Sequence, residues 1–243
     1  MPNTVRYLLL QMRNQDDPMR TNEVECFSRA LATSPDQIGV FDLLSGLLDE
    51  TAMDRADMFL LGGSGDYSAA GDADWLDRAL ESLRRVHASG KPTFASCWGF
   101  QAMARAMGGR VVHDVDTAEV GTHQLSLTEA GKADPIFGPA GETFGGQMGH
   151  EDCVSELPAN TTLLASSEKT VNQAYRFDDA PIYCTQFHPE LTCEDLLLRV
   201  RAYPRYIEEI AGLPAERFVE MIVETPEASA LLQRFVKHML GEV

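Results

Sequence analysis

Three residues of this chain combine types and local settings suited to covalent acyl chemistry: Cys97, His188 and Glu190. A thiol nucleophile needs a neighbouring imidazole to take its proton and later return one to a leaving amine, and a carboxylate to orient that imidazole. Cys97 follows Pro92–Ser96, a short β-compatible run, and precedes Phe100–Met107, a helix-compatible run stopped by Gly108-Gly109. Small residues in Ala95-Ser96-Cys97-Trp98-Gly99 permit the strained turn of a nucleophile elbow, and the helix start would place its positive dipole end beside the sulfur. Gln186-Phe187-His188-Pro189-Glu190 closes the last strong strand-like run and offers a base and a carboxylate two residues apart. Taken singly, each has a plainer reading. Free cysteine is often just a small buried hydrophobe, and His-Pro-Glu can be a surface turn.

Such a site requires elements whose ends converge, and the chain alternates strand-like and helical patterns in the required way. Arg6–Met12 reads as a buried strand, and a polar loop with Asp16, Asp17 and Pro18 leads to a helical pattern through Val24, Phe27, Ala30 and Leu31. A short strand is expected at Val40–Leu44 and another at Met58–Leu61. The latter ends abruptly in Gly62-Gly63-Ser64-Gly65-Asp66, before a helix over Trp75–Val86. This alternation predicts an α/β fold with a mostly parallel sheet, in which reactive side chains lie beyond the carboxyl ends of the strands. From Arg110 onward the pattern changes to short strands at Gln124–Leu127, Thr161–Ala165, Gln173–Phe177 and Ile182–Phe187, so part of the sheet is expected to be antiparallel. Cys193–Ala211 and Ala228–Leu240 are helix-compatible, interrupted by Gly212 and Pro214 and again by Pro226.

Cys97-Trp98-Gly99-Phe100-Gln101, His188-Pro189-Glu190 and Leu61-Gly62-Gly63-Ser64-Gly65-Asp66 together resemble, in order, the nucleophile, base and oxyanion motifs of the class I glutamine amidotransferases. The resemblance runs from about Arg6 to Glu190. It implies a three-layer, flavodoxin-like open sheet flanked by helices, and one domain over 1–243 with a core at 6–190 and a helical extension at 191–243. It further implies a catalytic Cys97, His188 and Glu190, with backbone N–H groups of Gly63 and Trp98 stabilising the oxyanion. Gly62–Gly65 read without it is a flexible turn. Gln101 matches a position that helps hold glutamine, Gly65 belongs to the same pocket, and Gly149-His150-Glu151-Asp152 loosely resembles the segment receiving the amino-acid end. His150 fits a structural histidine equally well. Ala95 and Ser64 depart from the family, which commonly has glycine and proline there.

The implied reaction is hydrolysis of the γ-carboxamide of glutamine through a γ-glutamyl thioester, releasing glutamate and ammonia. The stretch after Glu190 is too short for a synthetase domain, so ammonia would pass to a separate synthetase or ligase partner, or the domain acts alone. Acting alone suits a γ-glutamyl peptidase that releases an amine. A regulatory relative without chemistry is a further alternative, and the complete Cys97, His188 and Glu190 set speaks against it.

Composition narrows the field. Hydrophobic residues at 44% and charged residues at 23% are near globular averages. With 20 Lys plus Arg against 37 Asp plus Glu, the formal charge of −17 repels phosphate backbones and anionic lipid, so neither nucleic acid nor membrane is an expected partner. Five cysteines without close pairing fit reduced thiols, and the amino terminus lacks a long apolar leader segment, which together suggest a cytoplasmic protein. Cys184, His188 and Cys193 lack the paired spacing of zinc knuckles, and the glycine loop lacks the Gly-Lys-Ser/Thr ending of a nucleotide-binding loop. His87, His113, His123 and His238 have no evident partners and read as surface or packing residues. Cysteine peptidases with a similar elbow place histidine after the nucleophile, where this chain has Trp98.

No metal or organic cofactor is called for, because thiol and backbone would supply both nucleophile and electrophile. Turnover of glutamine is therefore expected to be unchanged by EDTA. A loss of turnover restored by a divalent metal would contradict this.

Overall fold

The computed structural model describes residues 5–204, 210 and 215–242. Along the chain run β1 (Tyr7–Gln11), α1 (Met19–Ala30), β2 (Ile38–Asp42), α2 (Glu50–Asp54), β3 (Met58–Leu61), α3 (Asp74–Ala88), β4 (Thr93–Ser96) and α4 (Trp98–Ala106). There follow β5 (Arg110–His113), β6 (Glu119–Leu127), α5 (Glu129–Ala133), β7 (Thr143–His150), β8 (Asp152–Glu156), β9 (Thr161–Ser166), β10 (Ala174–Phe177) and β11 (Ile182–Thr185). The described chain closes with α6 (Cys193–Ala202), α7 (Ala215–Met221) and α8 (Pro226–Met239).

Among the described residues, nine strands form one sheet in the order β2-β1-β3-β4-β11-β10-β9-β6-β7, and β5 pairs with β8 apart from it. The run β2-β1-β3-β4-β11 is parallel throughout. From β11 outward each neighbour is antiparallel.

The parallel strands are apolar on both faces, as strands covered twice must be. Leu10, Phe59, Leu61, Ala95 and Cys184 pack into a cluster with Leu76, Leu80 and Leu83 of α3 and Phe100 and Met103 of α4. Their alternates Leu9, Met58, Leu60, Phe94 and Tyr183 join Phe27 of α1 and Leu231, Leu232 and Phe235 of α8. This period-two alternation makes the three layers, helices on each side of one sheet. No helix among the described residues is long and apolar enough to cross a membrane.

Several elements differ from the sequence expectation. The second strand begins at Ile38, two residues earlier than expected. As an edge strand it leaves Val40 43% exposed, so its apolar signal is weak. Strands β5, β7 and β8 were not anticipated. The glycines in Thr143–His150 hide a strand that pairs along its length with β6. The last core helices are shorter or shifted: α6 ends at Ala202, with Tyr203 at φ −126°, ψ 74°, and Pro226 opens α8 instead of merely interrupting a helical run. Ala211, Gly212 and Pro214 lie outside the described residues.

Helix α8 is anchored by Phe235, fully buried and edge-on to Phe94 at 5.4 Å and to Tyr183 at 5.8 Å. Truncation there removes contacts from two core strands. Phe235→Ala is expected to cost about 3–5 kcal/mol in urea unfolding, and a loss under 1 kcal/mol would show that α8 contributes little to the core.

Candidate active site

The register of three neighbouring strands brings the motifs together. Leu61 of β3 pairs with Ala95 of β4, and Ser96 of β4 pairs with Thr185 of β11. Gly62, Cys97 and Gln186 are therefore the first residues past three adjacent strand ends. The Cys97 amide extends the ladder by donating to the Thr185 carbonyl at 2.8 Å.

Cys97 caps α4 with φ 53° and ψ −107°, a backbone setting outside the usual wells for an L-residue. Strain of this kind costs about 1–3 kcal/mol and persists only where the surroundings enforce it. They do so here. Gly99 donates to the Gly62 carbonyl at 3.0 Å, and Gln101 donates to that of Cys97 at 3.1 Å. A Cβ on Gly99 would overlap that of Leu61, so only glycine lets α4 approach β3 this closely. Trp98 occupies the first helical position, where the N–H has no partner within the helix.

Gly63 lies against Cys97 and His188 together. A Cβ built on it would stand 2.9 Å from His188 Cε1 and 3.6 Å from Cys97 Sγ. The Sγ is 3.7 Å from the Gly149 carbonyl oxygen. His188 Nδ1 lies 2.6 Å from Glu190 Oε1, and all three side chains are buried, with Cys97, His188 and Glu190 at 5%, 4% and 2% exposure. Burial opposes the imidazolium, but the Glu190 carboxylate and then the Cys97 sulfur outweigh it and raise His188 to about 9. Burial likewise opposes ionisation of Glu190, yet His188 and Arg199 bring its carboxyl below the usual range.

The expected substrate-binding residues Gly65, Gln101 and His150 line a pocket at Cys97 with Trp98, His113, Glu151 and Asp152. Gln101 is at its base, donating to the Asp152 carbonyl at 2.8 Å and to Gln186 Oε1 at 3.0 Å. Gly65 is at the rim. The His150 ring is engaged at both nitrogens, 3.2 Å from Glu119 Oε2 and 3.1 Å from the Asp152 carbonyl, so this segment faces the pocket with its main chain more than its imidazole. His113 has a partner that the sequence did not reveal: its Nδ1 is 2.9 Å from Asp152 Oδ1.

A second pocket at Cys97 is lined by His188, Leu191, Leu196, Arg199, Val200 and Tyr203. Arg199 went unread in the sequence. Its Nη1 is 3.4 Å from His188 Nδ1 and 3.7 Å from Glu190 Oε1, and an arginine on a helix that follows a candidate base was the available signal. Cys184 is buried among core residues, its thiol pushed up to about 12 by burial, while Cys193 starts α6. Among the described residues no group of three or more His, Cys, Asp and Glu could hold a metal ion.

The sequence model for "Glutamine amidotransferase class-I" matches residues 28–196, which includes all three motifs. The chain belongs to this family. "Gamma-glutamyl peptidase 3" of Arabidopsis thaliana is 31% identical over 167 residues, 66% of this chain and 66% of that protein. "GMP synthase [glutamine-hydrolyzing]" of Corynebacterium jeikeium is 31% identical over 185 residues, 72% of this chain but 33% of that one. The chain thus spans just under two thirds of the first relative and about one third of the second. A glutamine amidotransferase from Thermotoga maritima shares the fold, with a TM-score of 0.74 at 19% identity over 98% of both chains.

The imidazole charge has a consequence for stability. His188 is raised from 6.5 to about 9, so folding holds its proton more tightly. The resulting stabilisation is complete below pH 6.5 and disappears as pH rises through 9. Unfolding free energy should fall across this window, and less steeply in His188→Gln. Equal slopes for the two proteins in urea titrations at pH 6 and pH 9.5 would contradict the charge assignment.

Proposed function

We propose that this amidotransferase hydrolyses the γ-carboxamide of glutamine through a thioester on Cys97. The observation that carries this reading is the convergence of Cys97, the His188–Glu190 pair and the glycine loop at Gly63 at the ends of three adjacent strands. His188 takes the Cys97 thiol proton as Sγ attacks the γ-carbonyl carbon, and the oxygen takes up negative charge opposite the N–H groups of Gly63 and Trp98. The C–N bond then breaks, and His188 gives its proton to the nitrogen, which leaves as ammonia. Water attacks the thioester and gives a proton to His188; the C–S bond breaks, and His188 returns that proton to sulfur as glutamate departs. Glu190 holds the imidazole in orientation. The glutamyl portion occupies the pocket of Gly65, Gln101 and the main chain at His150. No metal or organic group takes part in these steps.

Whether ammonia diffuses away or enters a synthetase partner in the cytoplasm is a further part of the proposal, supported by the likeness to the glutamine-hydrolysing GMP synthase. A second reading has its own support. The Arabidopsis γ-glutamyl peptidase matches over equal shares of both chains, whereas the GMP synthase is about three times as long as the matched region. The same thioester would then release an amine from a γ-glutamyl peptide.

Incubation of the purified protein with glutamine should yield glutamate and ammonia in equal amounts, and Cys97→Ala should yield neither. Cleavage of γ-glutamyl peptides with none of glutamine would replace the first reading by the second. Retained turnover in Cys97→Ala would refute both.

A further inference from the structure

The oxyanion loop is short, has three glycines among five residues, and lacks the proline that commonly stiffens it in the family. What holds it comes from elsewhere in the chain. On its inner side, the Gly62 carbonyl accepts from Gly99 of α4. On its outer side lie two side chains placed so tightly that no Cβ fits: the Glu23 carboxylate covers Gly62, and the Tyr203 ring covers Gly65.

Both are joined through Arg13. Its Nε and Nη2 donate to the two Glu23 oxygens at 3.2 and 3.1 Å. Its Nη1 donates to Asp17 Oδ2 at 3.1 Å and to the Tyr203 hydroxyl at 3.0 Å, while that hydroxyl donates to Asp17 Oδ2 at 2.7 Å. The arginine and Glu23 side chains are 2% and 0% exposed. A fork bonded to two carboxylates and a phenol in a dry setting has little freedom to turn. A neighbouring set adds to it: Asn14 donates to Asp66 at 3.1 Å and accepts from the Tyr67 hydroxyl at 2.5 Å, and Ser64 Oγ accepts the Tyr67 amide at 3.0 Å.

We infer that Arg13, with Glu23, Asp17 and Tyr203, is a positioning network that fixes the Gly62–Gly65 loop so that the Gly63 N–H is aimed before substrate arrives. The inference rests on the proposed thioester reaction for its kinetic consequence, but the bracing itself is independent of it. Preset donors are the costly part of oxyanion stabilisation, since a mobile loop would have to be ordered during the reaction. These residues touch the loop, not the reacting atoms, so they are not catalytic residues.

Arg13→Ala would leave Glu23 buried without its partner and risks unfolding. Tyr203→Phe is the informative change, because the ring stays on Gly65 while the hydroxyl bonds to Arg13 and Asp17 are lost. Its kcat for glutamine should fall about tenfold, less than the 10²–10³ that follows loss of a donor, with KM within about twofold. Affinity for the aldehyde analogue of glutamine, whose adduct on Cys97 carries the same oxyanion, should fall in proportion to kcat. Alkylation of Cys97 by iodoacetamide, which develops no oxyanion, should keep its rate. Amide hydrogen exchange at Gly62–Asp66 should quicken. Unchanged kcat and exchange, or an alkylation rate that falls in step with kcat, would overturn the inference. If the unaltered protein cleaves no γ-glutamyl amide, the exchange comparison still decides whether the network braces the loop, and only the proposed reaction fails.

Discussion

The parallel pairing of β3, β4 and β11 is the constraint on which everything else in the site depends. It aligns three strand ends and delivers a glycine loop, a strained elbow and a His-Pro-Glu turn to one place, though their sequence positions are far apart. Register matters because a slip of one residue reverses every side chain on a strand. Here both faces are buried, and Phe59/Leu61 and Met58/Leu60 project into different clusters, so a slip would exchange two packed interiors. The bond from the Cys97 amide to Thr185 carries the ladder one residue beyond the strand. The turn at Cys97 is thus tied to the strand that leads to His188.

Strain and buried charge are sustained by that frame. The Cys97 dihedrals would relax in a free turn, but α4 is held against β3 by the Gly99 amide and by the absence of a Cβ there. The His188–Glu190 pair lies almost wholly out of water, where isolated charges are costly. Each makes the other tolerable, and Arg199 adds a positive group on the Glu190 side. The result is an imidazole whose pKa is raised above its ordinary value by the carboxylate beside it.

The parallel half of the fold and the three motifs were legible in the sequence because their signals are local. Met58–Leu61 is a fully buried run stopped by glycines, and its observed bounds match the expectation. Strands β5, β7 and β8 were hidden for a physical reason. Thr143–His150 carries three glycines and draws its order from long pairing with β6, a non-local interaction that no local pattern encodes. Arg13 and Arg199 were invisible in the same way. An arginine becomes a site component only when the fold sets it against Glu23 or Glu190. Asp152 pairs with His113 because their strands are register partners, which sequence spacing does not indicate.

The two halves of the sheet divide the work of the proposed reaction. Nucleophile, base and oxyanion loop come from parallel strands, while the pocket for the glutamyl end is closed by β7 of the antiparallel half and by the Gly149–Asp152 connection that leads into β8 of the separate pair. The second pocket at Cys97 draws part of its wall from elsewhere in the chain. Of its lining, Arg13, Arg199, Val200 and Tyr203 fall outside the 28–196 stretch matched by the family model, whereas Gly63, Cys97, Gly149, His188, Leu191 and Leu196 fall inside it. The residues of the proposed bond cleavage, Cys97, His188 and Glu190, all lie inside the stretch that the chain shares with its family, and the elements that brace them reach beyond it.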